Sequence, residues 1–238
     1  TQNRNPIPPI EDHQLGPNEW LTSLYLPSNF WIDAVTKLDA QADSKWRPLQ
    51  TGGKRVALKP VIGEKHFKQF IGAIEQRTQM KSPRALGYTA IMKDPDNQQP
   101  VHVVVQNNSQ ASQEHEHHYH IDAPTPEGAL LCLVNLCNTR GTHIGPLLDP
   151  PLMKQLQAAK DDPKKLKAVV TLLNAIRNQC AEDRGETPGV MLPAGTFLMA
   201  ESGARWHAAA NPVPGDKCEL TGTTNRIYAY LQLVPTHM

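Results

Sequence analysis

The sequence predicts a mainly β fold with helices, of the barrel or jelly-roll kind. Three observations carry that expectation. Eight or so short segments read as strands bounded by Gly, Pro, Asn and Asp turn signals. The 238-residue chain holds 21 prolines, which suits loops and strand ends better than an all-helical bundle. Helical periodicity is confined to stretches before the strands and to one insert between them.

Taken in order, residues 1–19 (TQNRNPIPPIEDHQLGPNE) are polar and proline-rich and read as a flexible arm. A helix is predicted over 28–42, with Ser28 as its N-cap. Gly52-Gly53 marks a turn, and 55–58 a short strand. Over 63–79, Phe67, Phe70, Ile71 and Ile74 recur at i, i+3, i+4, i+7, the stripe of an amphipathic helix packed on a sheet. Strands follow at 88–92 and 101–106, separated by a turn at Asp94-Pro95-Asp96-Asn97. Further strands are predicted at 117–122 and at the apolar run 129–136 (ALLCLVNL). Asp149-Pro150-Pro151 ends that region. Residues 152–182 read as helix interrupted at Asp162-Pro163. Strands at 190–192, 196–200, 206–210 and 226–234 complete the chain, and no internal repeat is found. The expected organisation is an arm at 1–19 and one domain at 20–238. Within that domain, 20–84 is helical support and 85–238 a β core with a helical insert at 152–182.

The chain is long enough to bury a sizeable core without staples. Its 24 basic and 23 acidic residues give a net charge of +1, so bulk electrostatics lend no support to a nucleic-acid partner. No apolar run approaches the roughly 18 residues of a membrane span. No signal peptide is visible. The chain starts at Thr1 and not at Met, so a processed or trimmed N-terminus is expected and a removed targeting segment stays open. Of the four cysteines (Cys132, Cys137, Cys180 and Cys218), none forms a CxxC pair. Cys132 and Cys137 are five apart, hence on opposite faces of one strand and unable to bridge there. Reduced, buried thiols and a cytoplasmic setting are the expectation.

The chemistry concentrates in residues 114–122, EHEHHYHID, where four histidines stand in six positions. On a strand, alternate residues share a face. His120 and Asp122 would therefore aim an imidazole and a carboxylate at one point, with Tyr119 and Ile121 opposite. A helix would set them about 200° apart. A third ligand must come from elsewhere. Among His66, His102, His143 and His207, His66 falls on the helix, and His207 lies on a strand-like stretch after a turn. Two histidines and one carboxylate form the facial set of non-haem Fe(II) oxygenases, which leaves positions open for a cosubstrate and O2.

At these residues the chain resembles the 2-oxoglutarate- and Fe(II)-dependent oxygenases. Their HxD, later His, then Arg or Lys pattern is matched by His120-Ile121-Asp122, His207 and Arg226. The segment LPAGTFLMAESGARWHAAANP is similar to their hairpin leading to the second histidine. The resemblance covers residues 85–235 and implies a double-stranded β-helix (jelly roll, cupin-like) with N-terminal helices. It implies Fe(II), 2-oxoglutarate and O2 as cofactors, with hydroxylation of an amino acid, peptide or small molecule and release of succinate and CO2. It further implies that Arg226 grips the distal carboxylate of 2-oxoglutarate, which suits a bidentate guanidinium. Tyr228, two residues on, takes the place of a hydroxyl residue beside that arginine. Asn135, a lone polar residue in an apolar strand, is a further contact for the cosubstrate. Two features depart from the pattern: the 19 positions from His207 to Arg226, and the insert at 152–182. The position six beyond Arg226 is Gln232, where nucleic-acid-repairing relatives carry a second arginine.

Two rival readings stand beside this one. A cupin with a three-histidine site would use His115-Glu116-His117 or His118-Tyr119-His120 with the H(x)3N spacing of His207 and Asn211, but Glu127 comes too late for its glutamate. A non-catalytic β-sandwich module would carry the histidine run as a metal-binding or pH-sensing loop.

Overall fold

The computed structural model describes residues 8–49, 53–81, 88–91, 101–106, 119–122, 128–159, 161–184, 190–201, 203–210 and 226–235. Its centre is a large antiparallel sheet. The strands run β1 (His13–Gly16), β2 (Glu19–Ser23), β11 (Thr196–Glu201), β7 (Leu130–Asn135), β13 (Arg226–Pro235), β6 (His102–Gln106), β4 (Lys54–Ala57) and β3 (Arg47–Pro48). A further strand, β5 (Tyr88–Ile91), pairs with the far end of β13. The period of two gives each central strand two faces. Cys132 and Val134 of β7, with Ile227, Ala229, Leu231 and Leu233 of β13, face one way. They pack on Phe30, Val35 and Leu38 of α1 (Ser28–Asp39) and on Phe67, Phe70 and Ile74 of α3 (Glu64–Lys81). The predicted stripe on α3 is thus the buried one.

The opposite face carries Leu131 and Leu133 of β7 and Leu198 of β11, joined by Leu21, Tyr228, Tyr230 and Ile144. Ile144 belongs to a smaller antiparallel pair, β9 (Thr142–Leu147) with β12 (Arg205–Ala209). The outer side of that pair presents Trp206 and Ala208 to Leu152 of α4 (Pro150–Ala159) and to Val169 and Cys180 of α5 (Pro163–Arg184). From one side to the other, the layers are helices, large sheet, small sheet and helices. A two-residue pair, β8 (Thr139–Arg140) with β10 (Met191–Leu192), flanks them.

Several expectations change. The chain from His13 onward is not an arm, because β1 and β2 extend the large sheet, β2 pairing with β11 over four residues. Residues 1–7 of the expected arm lie outside the described residues. The stretch 20–84 is not helical support alone: it supplies β3, β4 and most of β2. Ser28 is the first helical residue and not the cap; Pro27 holds the cap position and gives no side-chain bond. The strand expected at 55–58 ends at Ala57, and Leu58 opens α2 (Leu58–Ile62). Pro60 is tolerated there because first-turn N–H groups have no helical acceptor to lose. The insert is two helices. Asp162 accepts bonds from the N–H groups of Lys164 (3.0 Å) and Lys165 (3.2 Å), and Pro163 fills the first position of α5. Cys132, Cys137 and Cys180 are buried and in no disulfide, as expected, and burial pushes the Cys132 thiol far up. Cys218 and the turn at 94–97 lie outside the described residues. No described helix is long and apolar enough to cross a membrane.

Candidate metal centre

Two short backbone segments make the site. His120 forms an isolated antiparallel bridge with His207 of β12, and each N–H donates to the other's carbonyl at 3.0 Å. Such a pair puts both side chains on one face, and the ring centroids are 4.3 Å apart. Alternation sends Tyr119, Ile121, Trp206 and Ala208 outward to α4 and α5. His120, Asp122 and His207 therefore share the other face, where His207 is buried, Asp122 half-buried and His120 exposed. One donor atom from each lies within 4.8 Å of the others.

The electrostatics suit a cation. Burial, then the charge of His120, pushes His207 down to about 4, and Arg226 adds to that lowering. Asp122 and the Arg205 carbonyl act in the opposite sense without prevailing. The imidazole is thus neutral at pH 7, the form that binds metals. Its Nδ1 lies 3.0 Å from the Arg205 carbonyl oxygen. A carbonyl only accepts, so Nδ1 carries the proton and Nε2 keeps its lone pair. Asp122 Oδ2 is buried and has no hydrogen-bond partner among the described residues. An orphaned carboxylate oxygen is costly, and a bound cation would satisfy it. Two imidazoles and a carboxylate fit a divalent transition metal with open positions.

Arg226 approaches from the large sheet. It is 3% exposed, and its Nη2 donates to Thr142 Oγ1 at 2.5 Å. Thr142 sits on β9 opposite Ala209, two residues beyond His207, so the arginine crosses between the sheets one step along from the histidine. The guanidinium carbon lies 4.4 Å from the centre of the Tyr228 ring. Tyr228 in turn stands directly across from Asn135, whose Nδ2 is buried without a hydrogen-bond partner among the described residues. Asn135, Arg226 and Tyr228 thus share the face of the large sheet that meets β9 and β12.

Other functional candidates were not legible in that way. Thr142 supplies the hydroxyl bonded to Arg226, while Tyr228 contributes its ring face. Tyr230 follows Tyr228 on the same face; burial first, then Asp122, raises its phenol far above the usual range, so it stays neutral. Period-two counting along β13 could have found it. Glu19 and Arg205 form a buried ion pair next to His207. His66 is away from the site, its Nδ1 hydrogen-bonded to the Ile62 carbonyl. His115, His117, His118, Glu127 and Asn211 lie outside the described residues.

No family model matches the chain and no curated protein matches its sequence. Solved structures do. The chain is similar to the crystal structure of the non-haem alpha-ketoglutarate-dependent epimerase SnoN from nogalamycin biosynthesis, at 14% identity and a TM-score of 0.51. That match covers 92% of this chain and 77% of SnoN, and at such identity it is a likeness of fold. The apo structure of the Kdo hydroxylase KdoO, a non-haem Fe(II) alpha-ketoglutarate-dependent dioxygenase, matches at 11% identity and a TM-score of 0.41, covering 89% of this chain and 76% of that one.

Proposed function

We propose that the chain is an Fe(II)- and 2-oxoglutarate-dependent oxygenase on a double-stranded β-helix. The observation that carries this reading is the facing arrangement of His120, Asp122 and His207 on one side and Arg226 on the other. His120, Asp122 and His207 would hold the ion. When bound, Fe(II) supplies the redox chemistry by which 2-oxoglutarate and O2 become succinate and CO2 while a substrate C–H bond is oxidised.

The remaining roles belong to the chain's own side chains. Arg226 pairs with the distal carboxylate of 2-oxoglutarate, and Thr142 fixes the direction of its guanidinium. Tyr228 supports the guanidinium from below with its ring face. Asn135 offers its buried amide to the same cosubstrate. The charges of ion, Asp122, Arg226 and a dianionic cosubstrate cancel, which lets them share a water-poor space. Tyr230 provides a neutral hydroxyl beside Asp122. The walls of Leu131, Leu133, Leu198 and Ile144 keep water from the rest of the interior. The substrate class is an amino acid, peptide or small molecule. The reaction is hydroxylation or a related C–H oxidation, and SnoN, whose fold is similar, is an epimerase.

The test is turnover. With Fe(II) and a panel of candidate amines and peptides, the chain should convert 2-oxoglutarate to succinate, and Asp122→Ala should not. A variant that consumes 2-oxoglutarate as fast as the parent would remove Asp122 from the site.

A further inference from the structure

We propose that Glu19 and Arg205 are a positioning clasp for His207, so that the N-terminal strand pair completes the metal centre; this deepens the metal reading above and rests on it. Glu19 opens β2 and is 1% exposed; Arg205 opens β12 and is 9% exposed. Their side chains meet across 186 positions of sequence, Arg205 Nε donating to Glu19 Oε1 at 3.0 Å and Nη2 to Oε2. Glu19 Oε1 also accepts from the Glu201 N–H at 2.9 Å, while Arg205 Nη1 donates to the Gly145 carbonyl at 2.8 Å. One ion pair thus ties β2 and β11 of the large sheet to β12 and β9 of the small one.

Two local irregularities accommodate it. Pairing of β9 with β12 slips between Arg205 and His207: Leu147 to Ile144 is three steps, against two on β12. That bulge holds Pro146, which has no N–H to pair, and turns the Gly145 carbonyl to the guanidinium. Gly16 on β1 is the other: a Cβ there would lie 2.5 Å from Glu19 Oε2.

The link to chemistry is the Arg205 backbone. Its carbonyl takes the Nδ1 proton of His207 and thereby leaves Nε2 for the ion. A ligand histidine depends on such a partner for tautomer and ring orientation. Here the partner is a main-chain oxygen, and the Glu19 clasp immobilises the residue that bears it. Removing the clasp should loosen His207 even where the fold survives.

The experiment compares the parent with Glu19→Gln and Gly16→Ala, using Co(II) as the probe ion and its visible spectrum as the readout. Near-UV circular dichroism selects variants that are folded. Folded Glu19→Gln should bind Co(II) about 10- to 100-fold more weakly. Without metal, 15N NMR should show the His207 ring as the single Nδ1–H tautomer in the parent and as a mixture in the variant. A folded variant with parental affinity and an unchanged tautomer would overturn the clasp. If Glu19→Gln does not fold, Gly16→Ala decides: it displaces the carboxylate, and should weaken Co(II) binding several-fold, whereas unchanged affinity refutes the proposal. A parent that binds no Co(II) would defeat the metal reading instead, and the tautomer measurement would still judge the clasp.

Discussion

The two faces of β7 and β13 obey different rules. Toward α1 and α3, every buried residue of these strands is apolar: Leu130, Cys132, Val134, Ile227, Ala229, Leu231 and Leu233. Toward the small sheet, the same strands bury Asn135, Arg226 and Gln232 among leucines and tyrosines. The first face stabilises the fold by removing apolar area from water. The second spends part of that gain on buried polar groups, one of which, Asn135 Nδ2, has no partner among the described residues. A side-chain period of two lets one strand serve packing and chemistry independently.

The sharpest way to break this division is Asp122→Ala. It should abolish detectable Fe(II) binding by titration calorimetry, while the melting temperature of the metal-free protein stays level or rises, since an orphaned buried carboxylate is gone. Retained binding would dissolve the distinction. Next is Phe70→Ala on the helix side. Phe70 is fully buried, and its truncation should cost about 3–5 kcal/mol in urea unfolding. Metal affinity of the folded fraction should not move; if it falls, the faces are coupled.

How far these residues could be read from the sequence follows the same division. Alternation alone paired His120 with Asp122 and aimed Tyr119 and Ile121 away, and the packing of Tyr119 and Ile121 on the helical insert follows it although only His120 is bridged. The stripe of α3 was readable because 3.6-residue periodicity is local. What escaped was either disguised or remote. In β9, THIGPL carries a glycine and a proline, the usual marks of a loop, and only the bulge against β12 makes it a strand. Strands β1 and β2 sit among prolines and polar residues, and the pairing of β2 with β11 is a contact across most of the chain. No local pattern joins Glu19 to Arg205, or Thr142 to Arg226.

Two smaller effects sharpen the comparison. Arg226→Ala should weaken 2-oxoglutarate binding by roughly 2–5 kcal/mol while leaving metal affinity nearly unchanged; equal losses in both would place Arg226 in a structural role. Acidification should act through His207. Its folded value of about 4 lies below the unfolded one near 6.5, so only the unfolded chain takes up the proton between them. The contribution is present above pH 6.5 and lost as pH falls toward 4. Urea unfolding of the metal-free protein from pH 7 to 4.5 should show that loss, below about 3 kcal/mol, and His207→Gln should flatten that part of the profile. An unflattened profile would assign the acid sensitivity elsewhere.

The central claim, that three clustered donors and one arginine form a single cosubstrate-loaded iron site, has a direct optical test. Under anaerobic conditions, Fe(II) with 2-oxoglutarate should give the chain a weak visible charge-transfer band that Asp122→Ala lacks. A parent protein that binds Fe(II) yet shows no such band at saturating 2-oxoglutarate would contradict it.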